Sequence, residues 1–464
     1  MTRGGGAMTD VATKDALLSA LAERQRRAGA EGPTWLSEQR RQAIARFAER
    51  GLPTTRDEEW RYTSLAPLAA MPLDLTADGP GELPTEEALV PFLISDTGSG
   101  GNTRSRADAG SRLVFVDGRY VAKLSTVRSR PAGGHLGSLA EALVTDAEAV
   151  RPHLLETAEW PGGAFEALNA ACWTDGAFVR VPPGVALEEP VQLLFLATAG
   201  GAPRADHPRS VIVLEPGSRA VIVETYAALG EAAYLTNAMS QVVLRADADL
   251  DYHRLVVEGP RAVHVGQTRV HEERDGRFTS HSITFAGRLV RHDVAAVLRA
   301  EGAECHLDGL FVIGGDQHVD IHTVVDHARP RATSRQLYKG VLDGHARGVF
   351  NGRVIVRPDA VGTDAHQTNK NLLLVDGVEV DSKPQLEIFA DDVKCSHGAA
   401  DGQLADDAIF YLKSRGLDEA AARTLLTRGF ANEVLGRIRV VPVRQWCEQQ
   451  LTARLRGGRV LEPA

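Results

Sequence analysis

A long series of short β-branched segments, separated by glycine or aspartate turns, begins near Phe178 and constrains the fold of this 464-residue chain more than any other feature. Turn signals recur every 26 to 31 residues or so, near Gly217, Asp247, Gly276 and Gly302. A regular period of this length indicates the coils of a solenoid. We therefore predict a mainly β chain, either a parallel β-helix or a stacked two-sheet solenoid. A Greek-key sandwich with this many strands would be unusually large.

Helical patterns flank the solenoid region on both sides. Apolar residues at helical spacing predict helices over residues 14–28 and 34–50. Beyond Gln403, two segments begin with acidic residues and end with a cation and a glycine, as the helix dipole favours, and a third helix is predicted over residues 442–455. We expect the C-terminal helices to bury a small core of Phe410, Leu412, Leu417, Leu425, Leu426 and Phe430.

These patterns divide the chain into four predicted regions. They are an N-terminal helical region (1–75), a mixed α/β region (76–177), a β-helix core (178–402) and a C-terminal helical domain (403–464).

Composition and absent motifs exclude several classes of function. The net charge of −9 has the wrong sign for a nucleic-acid binder that works by bulk electrostatics. No apolar run approaches the roughly 18 residues that span a bilayer, and the N-terminus lacks the apolar stretch of a secretory signal. We therefore expect a cytoplasmic protein with no membrane or nucleic-acid partner. The sequence has no GxxxxGK[ST], GxSxG or HExxH motif, which argues against an ordinary nucleotide-dependent or hydrolytic enzyme.

Histidines are concentrated in the β-rich region, where twelve of the 15 lie between His253 and His397. In the segment HVDIH, His318, Asp320 and His322 would share one face of a strand, because alternate residues of a strand point the same way. Two imidazoles and a carboxylate are the ligand types of a non-haem iron site. The alternative interpretation is a polar strand face turned to solvent.

Cys395 and His397 form the sharper candidate site. On an extended backbone they project to one side, and a thiolate with an imidazole can ligate a soft metal centre. They supply only two ligands, whereas a cluster is usually held by about four, so a second chain would have to provide the others. The alternative is a small buried cysteine beside a hydrogen-bonded histidine. None of the four cysteines forms a CxxC pair, so neither a disulfide framework nor an all-cysteine zinc site is expected.

The stretch from Asn369 to Leu435, which includes KPQLEIFADDVKCSHGA, closely resembles the SufB/SufD family of iron–sulfur cluster assembly proteins, and so does TRDEEWRYT at Thr55–Thr63. Within this family, the sequence of the stretch is similar to the SufD branch. SufB has a glutamate after the matching histidine, where this chain has Gly398. SufB also has a cysteine in the strand that matches Asn369–Leu373, where this chain has none. The resemblance therefore argues against an independent scaffold role.

The resemblance implies a right-handed parallel β-helix flanked by helices, in a complex of SufB, SufD and two copies of the ATPase SufC. SufB would pair with this chain through the β-helix, and SufC would contact the C-terminal helices and hydrolyse ATP. His397 matches the SufD histidine at the SufB interface, which makes it the candidate ligand for a transient iron–sulfur cluster or iron shared with SufB. Cys395 is a weaker candidate. Reduced flavin has been proposed for the family complex, but no Rossmann fingerprint supports a flavin site here.

Two other functions remain open at this point. A SufB-like scaffold would hold a cluster by itself. A β-helix carbohydrate-active enzyme would need a cluster of carboxylates in a groove. Asp391-Asp392 is the only obvious pair near the candidate site, and adjacent strand residues face opposite sides. The resemblance favours a non-catalytic assembly subunit over both.

Overall fold

The computed structural model describes most of the chain. The described residues are 18–23, 33–73, 79, 82–94, 110–128, 130–156, 163–198, 203–456 and 459–460. The helix predicted over 14–28 falls only partly within them, and residues 18–23 are helical.

Most strands lie between Ala177 and Gly402, and the helices lie before and after this stretch. The helices are α1 (Thr34–Arg50), α2 (Ala66–Ala69), α3 (Glu86–Leu89), α4 (Leu139–Glu156), α5 (Ala164–Cys172), α6 (Asp406–Ser414), α7 (Glu419–Leu435) and α8 (Val441–Arg454). The strands are β1 (Ser111–Val116), β2 (Arg119–Tyr120), β3 (His135–Ser138), β4 (Ala177–Val181), β5 (Val191–Ala197), β6 (Ala205–Asp206), β7 (Arg209–Leu214), β8 (Arg219–Ala228), β9 (Leu235–Leu244), β10 (Asp249–Val257), β11 (Val263–Glu272), β12 (Arg277–Ala286), β13 (Leu289–Leu298), β14 (Glu304–Ile313), β15 (His318–His327), β16 (Thr333–Leu342), β17 (Arg347–Val356), β18 (Asp364–Leu373), β19 (Glu379–Ile388), β20 (Lys394–Gly402), β21 (Leu455–Arg456) and β22 (Arg459–Val460).

Two large sheets form a parallel β-solenoid, as the turn period predicts. Sheet I has the order β2-β1-β5-β8-β10-β12-β14-β16-β18-β20, and sheet II has the order β3-β4-β7-β9-β11-β13-β15-β17-β19, with β6 beside β9. From β8 onward the chain alternates between the sheets, so each coil adds one strand to each sheet. Only β1–β2 and β3–β4 pair antiparallel within them. The sheets thus begin before residue 178, and the four-region division of the chain remains a prediction.

Left-handed residues at equivalent positions turn the chain between coils. The φ angles are +69° at Gly217, +60° at Asp247, +54° at Asp275 and +76° at Gly302. Glycine and, less readily, aspartate adopt this conformation, which explains the recurring turn signals. The predicted turn at Gly276 is centred one residue earlier, on Asp275.

Alternation along the strands divides the core into an inner and an outer part. The inner faces of the two sheets pack against each other around residues such as Phe278, Cys305 and Phe311. The outer face of sheet I, including Leu255 and Ile283, is covered by α7 and α8. On the outer face of sheet II, α1 and α5 cover residues such as Val263, Val265 and Leu289. Both faces of the central strands are therefore buried, and the buried positions include polar residues, such as His264, Gln267 and Thr268 on β11, as well as apolar ones.

The C-terminal helices bury a different face from the one expected from the sequence. Phe410 is 75% exposed and Leu425 is 50% exposed, so the predicted small core is wrong. The residues that pack instead belong to the end of α7, to α8 and to the segment between them, and they are Ala431, Val434, Leu435, Ile438, Val443, Trp446, Cys447 and Leu451. They belong to the same cluster as the outer face of sheet I. The helices therefore share a core with the solenoid, and Phe410, Tyr411 and Leu425 remain at the surface.

The last coil differs from the coils before it. All ten residues of β19 are half-buried or exposed, and eight of the nine residues of β20 are exposed. In contrast, most residues of β14 and β15 are buried. Because β19 and β20 are the outermost strands of the two sheets, each has one neighbouring strand in the described part of the chain. The solenoid therefore ends in an open coil.

Candidate functional site

Strand β20 places Cys395 and His397 at the edge of sheet I. The parallel register sets Cys395 beside Ala365 and His397 beside Gln367, both on β18. Because the two candidate residues are two positions apart on one strand, they face the same side, as predicted. The packing of Cys395 shows that this is the inner side of the solenoid, at its open end.

Cys395 is half-buried in a small apolar cluster formed by Val354, Val356, Ala360 and Ala365. Burial raises the pKa of the Cys395 thiol above its usual value of 9.0. A thiol must lose its proton to become a strong metal ligand. The environment of the isolated chain therefore keeps Cys395 in its weaker-binding form.

His397 is exposed, whereas the polar residues next to it in the same row are buried. Gln367 is beside His397, and its amide donates to Oε1 of Gln336 on β16 at 3.4 Å. Thr323 donates to the same oxygen at 2.7 Å. Hydrogen-bonded side chains thus run into the solenoid from Gln367, the register neighbour of the exposed imidazole.

Carboxylates near this end do not complete a metal site. Asp401 shares the strand face of His397 but lies four residues away, about 13 Å along an extended strand. It accepts a hydrogen bond from Asn371 at 2.7 Å. Asp391 and Asp392 lie in the exposed turn before β20. Within the described ranges, no third His, Cys, Asp or Glu converges with Cys395 and His397. The described residues at this end therefore supply at most half of a cluster site.

The HVDIH residues share a face, as predicted, but that face is neither open nor solvated. Thr63 of the N-terminal segment donates to Asp320 at 2.5 Å, and its hydroxyl oxygen lies 3.1 Å from Nε2 of His318. His322 contacts Glu59 at 3.1 Å and Asp320 at 3.0 Å. The three HVDIH side chains thus fix the segment TRDEEWRYT to sheet II. The sequence singled out both segments but did not show that they meet.

Arg291 completes this docking network. Its guanidinium forms an ion pair with Asp320 at 2.7 Å and donates to the carbonyl of Glu59 at 2.6 Å. It also stacks 4.0 Å from the ring centroid of Trp60. Nothing in the sequence of β13 signalled this role, because Glu59 and Trp60 lie more than 200 residues away in the chain and Asp320 lies 29 residues away on another strand.

The electrostatics of the network separate its two histidines. Burial lowers the pKa of His318 to about 4, so its imidazole is neutral. Burial alone would also lower the pKa of His322, but Asp320 and Glu59 outweigh burial and raise it to about 9. An imidazolium held between two carboxylates is a structural cation and not a metal ligand.

Comparison with known proteins now identifies the family. The model of the SUF system FeS cluster assembly SufBD core domain matches residues 195–430, and the SufBD protein N-terminal region matches residues 109–193. The chain belongs to the SufBD family. It is 31% identical to the iron–sulfur cluster assembly protein SufD of Escherichia coli, over 92% of this chain and 95% of that protein. It is 30% identical to a SufBD family protein of Synechocystis, over 87% of each chain. A Mycobacterium leprae relative is 40% identical over 35% of this chain and 44% of its own.

Membership of this family places the chain in iron–sulfur cluster assembly. The other three cysteines, Cys172, Cys305 and Cys447, are buried, unlike Cys395. None of the four cysteines forms a disulfide. No helix in the described part of the chain has the length and apolarity needed to cross a membrane.

Proposed function

We propose that this chain is a SufD-like, non-catalytic subunit that pairs with SufB through the open coil β18–β20 and contributes His397 to a nascent-cluster site at that interface. The observation that carries the proposal is the position of His397: it is an exposed imidazole on the edge strand of an otherwise covered solenoid. The substrate of the site is iron or a transient iron–sulfur cluster.

The open coil has the properties of a pairing surface. Edge strands with free backbone groups pair readily with another chain, and natural proteins usually cover them. Exposed apolar side chains concentrate at this end, with Phe389 61%, Val361 45% and Ile388 43% exposed. A matching coil of SufB would cover both the strand edges and these side chains.

The ligand set supports a shared site. Cys395 and His397 supply two ligands, and about four are usual for a cluster. A second chain facing β20 would supply the rest. Imidazole binds iron as a neutral ligand and leaves on protonation, which suits a site that must release its product. Gly398 stands where SufB has a glutamate, and this supports an accessory role for the present chain.

The surface of α6 and α7 supports contact with SufC. Phe410, Tyr411 and Leu425 are 75%, 57% and 50% exposed, although each is large and apolar. Such a patch marks a protein interaction site. ATP hydrolysis would belong to SufC, because this chain has no Walker A motif. Removing the helices entirely would uncover the outer face of sheet I, so point substitutions are the better test.

The decisive experiment substitutes His397 in the three-component complex. His397→Ala should leave the complex assembled and its ATPase active, yet stop cluster maturation in cells. His366→Ala is the matched control, since His366 lies on the neighbouring strand and hydrogen-bonds Ser396 on the opposite face of β20. Normal maturation with His397→Ala would refute the site. Disassembly of the complex would instead make His397 an interface residue and overturn its role as ligand.

Three further measurements test the partners and the alternative scaffold role. Cross-links should join residues of β19–β20 to SufB, and a map that places this segment far from SufB would contradict the pairing. Phe410→Asp with Leu425→Asp should weaken capture of SufC and leave SufB pairing intact. Reconstitution of the isolated chain with iron and sulfide should give no stoichiometric cluster. A stoichiometric cluster there would favour a SufB-like scaffold instead.

A further inference from the structure

A second group of two histidines and one aspartate lies on the outer face of sheet I, away from β20. His253 on β10 and His281 on β12 are direct neighbours in the parallel register, and Asp251 precedes His253 by two residues on the same face. One ligand atom from each of the three side chains lies within 4.8 Å of the other two. The register of two coils thus brings together residues that are 28 positions apart.

These side chains are buried without the hydrogen bonds that buried polar groups normally make. His253 is 0% and His281 is 1% exposed. Among the described residues, no group outside the cluster hydrogen-bonds Oδ1 of Asp251 or either nitrogen of each ring, and the shortest contact within the cluster, 3.1 Å from Oδ1 of Asp251 to Nε2 of His253, lacks hydrogen-bond geometry. The His253 and His281 rings stack at 5.0 Å. The HVDIH cluster has the same residue types, but there Thr63, Arg291 and Glu59 contact the three side chains, and only Oδ1 of Asp320 is left buried without a hydrogen-bond partner among the described residues. A buried group left unsatisfied calls for a missing partner.

The spacing of the atoms fits a metal ion as that partner. Oδ1 of Asp251 lies 3.1 Å from Nε2 of His253 and 3.6 Å from Nδ1 of His281. Bonds of about 2.0–2.2 Å in a tetrahedral site place ligand atoms roughly 3.3–3.5 Å apart. Small rotations of the side chains would therefore bring all three atoms onto one ion.

Asp308 on β14 supplies the outer support that metal-binding histidines usually have. It is the register neighbour of His281, and its Oδ2 lies 3.8 Å from Nε2 of that ring. Arg437, between α7 and α8, forms an ion pair with the other oxygen of Asp308 at 2.9 Å. A carboxylate that receives one ring N–H leaves the other nitrogen free to bind the metal. The 3.8 Å gap is too long for a hydrogen bond, so Asp308 would take this part once a rotation of the His281 ring brings Nε2–H to it and Nδ1 to the ion.

An opening leads to the cluster from the surface. A cavity of about 210 Å³ is lined by Asp251 and His281 on the sheet and by Arg437 and Arg439 from the C-terminal region. It leaves room for an ion to enter and for water to take a fourth position.

We propose that Asp251, His253 and His281 form a binding site for a divalent first-row transition ion of the Fe²⁺ or Zn²⁺ class, with Asp308 positioning His281. Two imidazoles and one carboxylate select such ions over Mg²⁺ and Ca²⁺, which prefer oxygen ligands alone. The site lies on the outer face of sheet I and needs no partner chain, so it is independent of the interface proposed at His397.

The test uses the untagged full-length chain carrying His397→Ala and Cys395→Ser, so that the open coil cannot contribute ligands. Addition of Co²⁺ should produce visible d–d absorption that saturates at one ion per chain. Zn²⁺ should abolish this absorption, and Mg²⁺ should leave it unchanged. Absence of a stoichiometric Co²⁺ or Zn²⁺ complex would overturn the proposal.

Variants assign the ion to these residues. In the same background, His253→Gln and Asp251→Asn should each weaken Zn²⁺ binding at least about tenfold, and Asp308→Asn should weaken it by about 10- to 100-fold. His322→Gln, the same change in the hydrogen-bonded cluster, is the matched control and should bind normally. Equal behaviour of His253→Gln and His322→Gln would refute the assignment. If the variants do not fold, zinc X-ray absorption of the parent chain must show two imidazole ligands, and fewer would overturn the proposal.

Discussion

Cys305 and Cys395 lie in the same row of sheet I, yet they occupy very different environments. The row runs from Cys305 through Ser334 and Ala365 to Cys395. Cys305 has coils on both sides and is fully buried, whereas Cys395 has one and is half-buried. The two cysteines occupy equivalent positions in the register, so the difference in their burial follows from the coil that covers Cys305 and has no counterpart beyond Cys395 in the described chain. A solenoid strand becomes available for binding where no further coil covers it.

The largest expected effect is on stability, and it is tested by truncating one aromatic residue from each region. Phe350 on β17 is 1% exposed and packs against Tyr338, with ring centroids 4.9 Å apart. Phe350→Ala should destabilise the isolated chain by about 3–5 kcal/mol, because it leaves a cavity in the inner core. Phe389 is 61% exposed, and Phe389→Ala should change stability by less than about 0.5 kcal/mol. Denaturant unfolding checks both, and equal losses would mean that the last coil is packed like the others.

The sequence predicted the features that repeat. Its turn period predicted the coils, and its helical patterns predicted α1, α7 and α8 to within a few residues. A repeat is readable because each coil obeys the same alternation and the same turn chemistry. The buried face of the C-terminal helices was not readable. Phe410 and Leu425 are apolar, but sequence does not say whether such residues pack on their own chain or on another protein.

The candidate sites show the same limit: the sequence shows pairs of residues on one strand, but not contacts between distant segments. Cys395 and His397 were found because they are two residues apart on one strand. Asp251 and His253 have that spacing too, but their third partner, His281, comes from the next coil. Only the strand register brings it near. The HVDIH site was misjudged for a related reason, since its hydrogen-bond partners come from the N-terminal segment. Contacts between distant parts of the chain depend on three-dimensional packing, which one sequence does not show.

The free energy of unfolding should depend on pH through His322, which lies in a covered inner coil. The folded pKa of His322 is about 9, above its ordinary value of 6.5, so its charged form stabilises the folded chain. This stabilisation is fully present below pH 6.5 and is lost as the pH rises through about 9. We expect the free energy of unfolding to fall by about 2–3 kcal/mol over this interval.

The control for this prediction is His322→Gln, which removes the titrating group. Its free energy of unfolding should be lower at pH 6.5 and should depend less on pH than that of the parent chain. Denaturant unfolding at a series of pH values measures both. Parallel pH profiles for the two proteins would show that His322 does not hold the N-terminal segment through its charge.

A smaller effect concerns partner binding at the open coil. Phe389→Asp places a charge among the exposed apolar residues of this end. If SufB covers them, its affinity should fall by about 1–2 kcal/mol, in the range of an interface residue outside the strongest contacts. The isolated chain should keep its stability, because Phe389 is exposed there. An unchanged affinity in a titration with purified SufB would place the interface elsewhere.

The smallest effect is expected at Cys395, and it makes the sharpest comparison between the two regions. Cys172, Cys305 and Cys447 are buried, so a thiol reagent should modify only Cys395 in the folded chain. Modification should be slow, because burial raises the pKa of this thiol and reduces its thiolate fraction.

Cys395→Ser should cost less than about 1 kcal/mol of stability and leave most cluster maturation intact, since His397 remains. Binding of SufB should protect the thiol from the reagent. Rapid labelling of Cys305 would show that the inner coils open as easily as the last one, and unprotected labelling of Cys395 in the complex would show that the open coil is not where the partner binds.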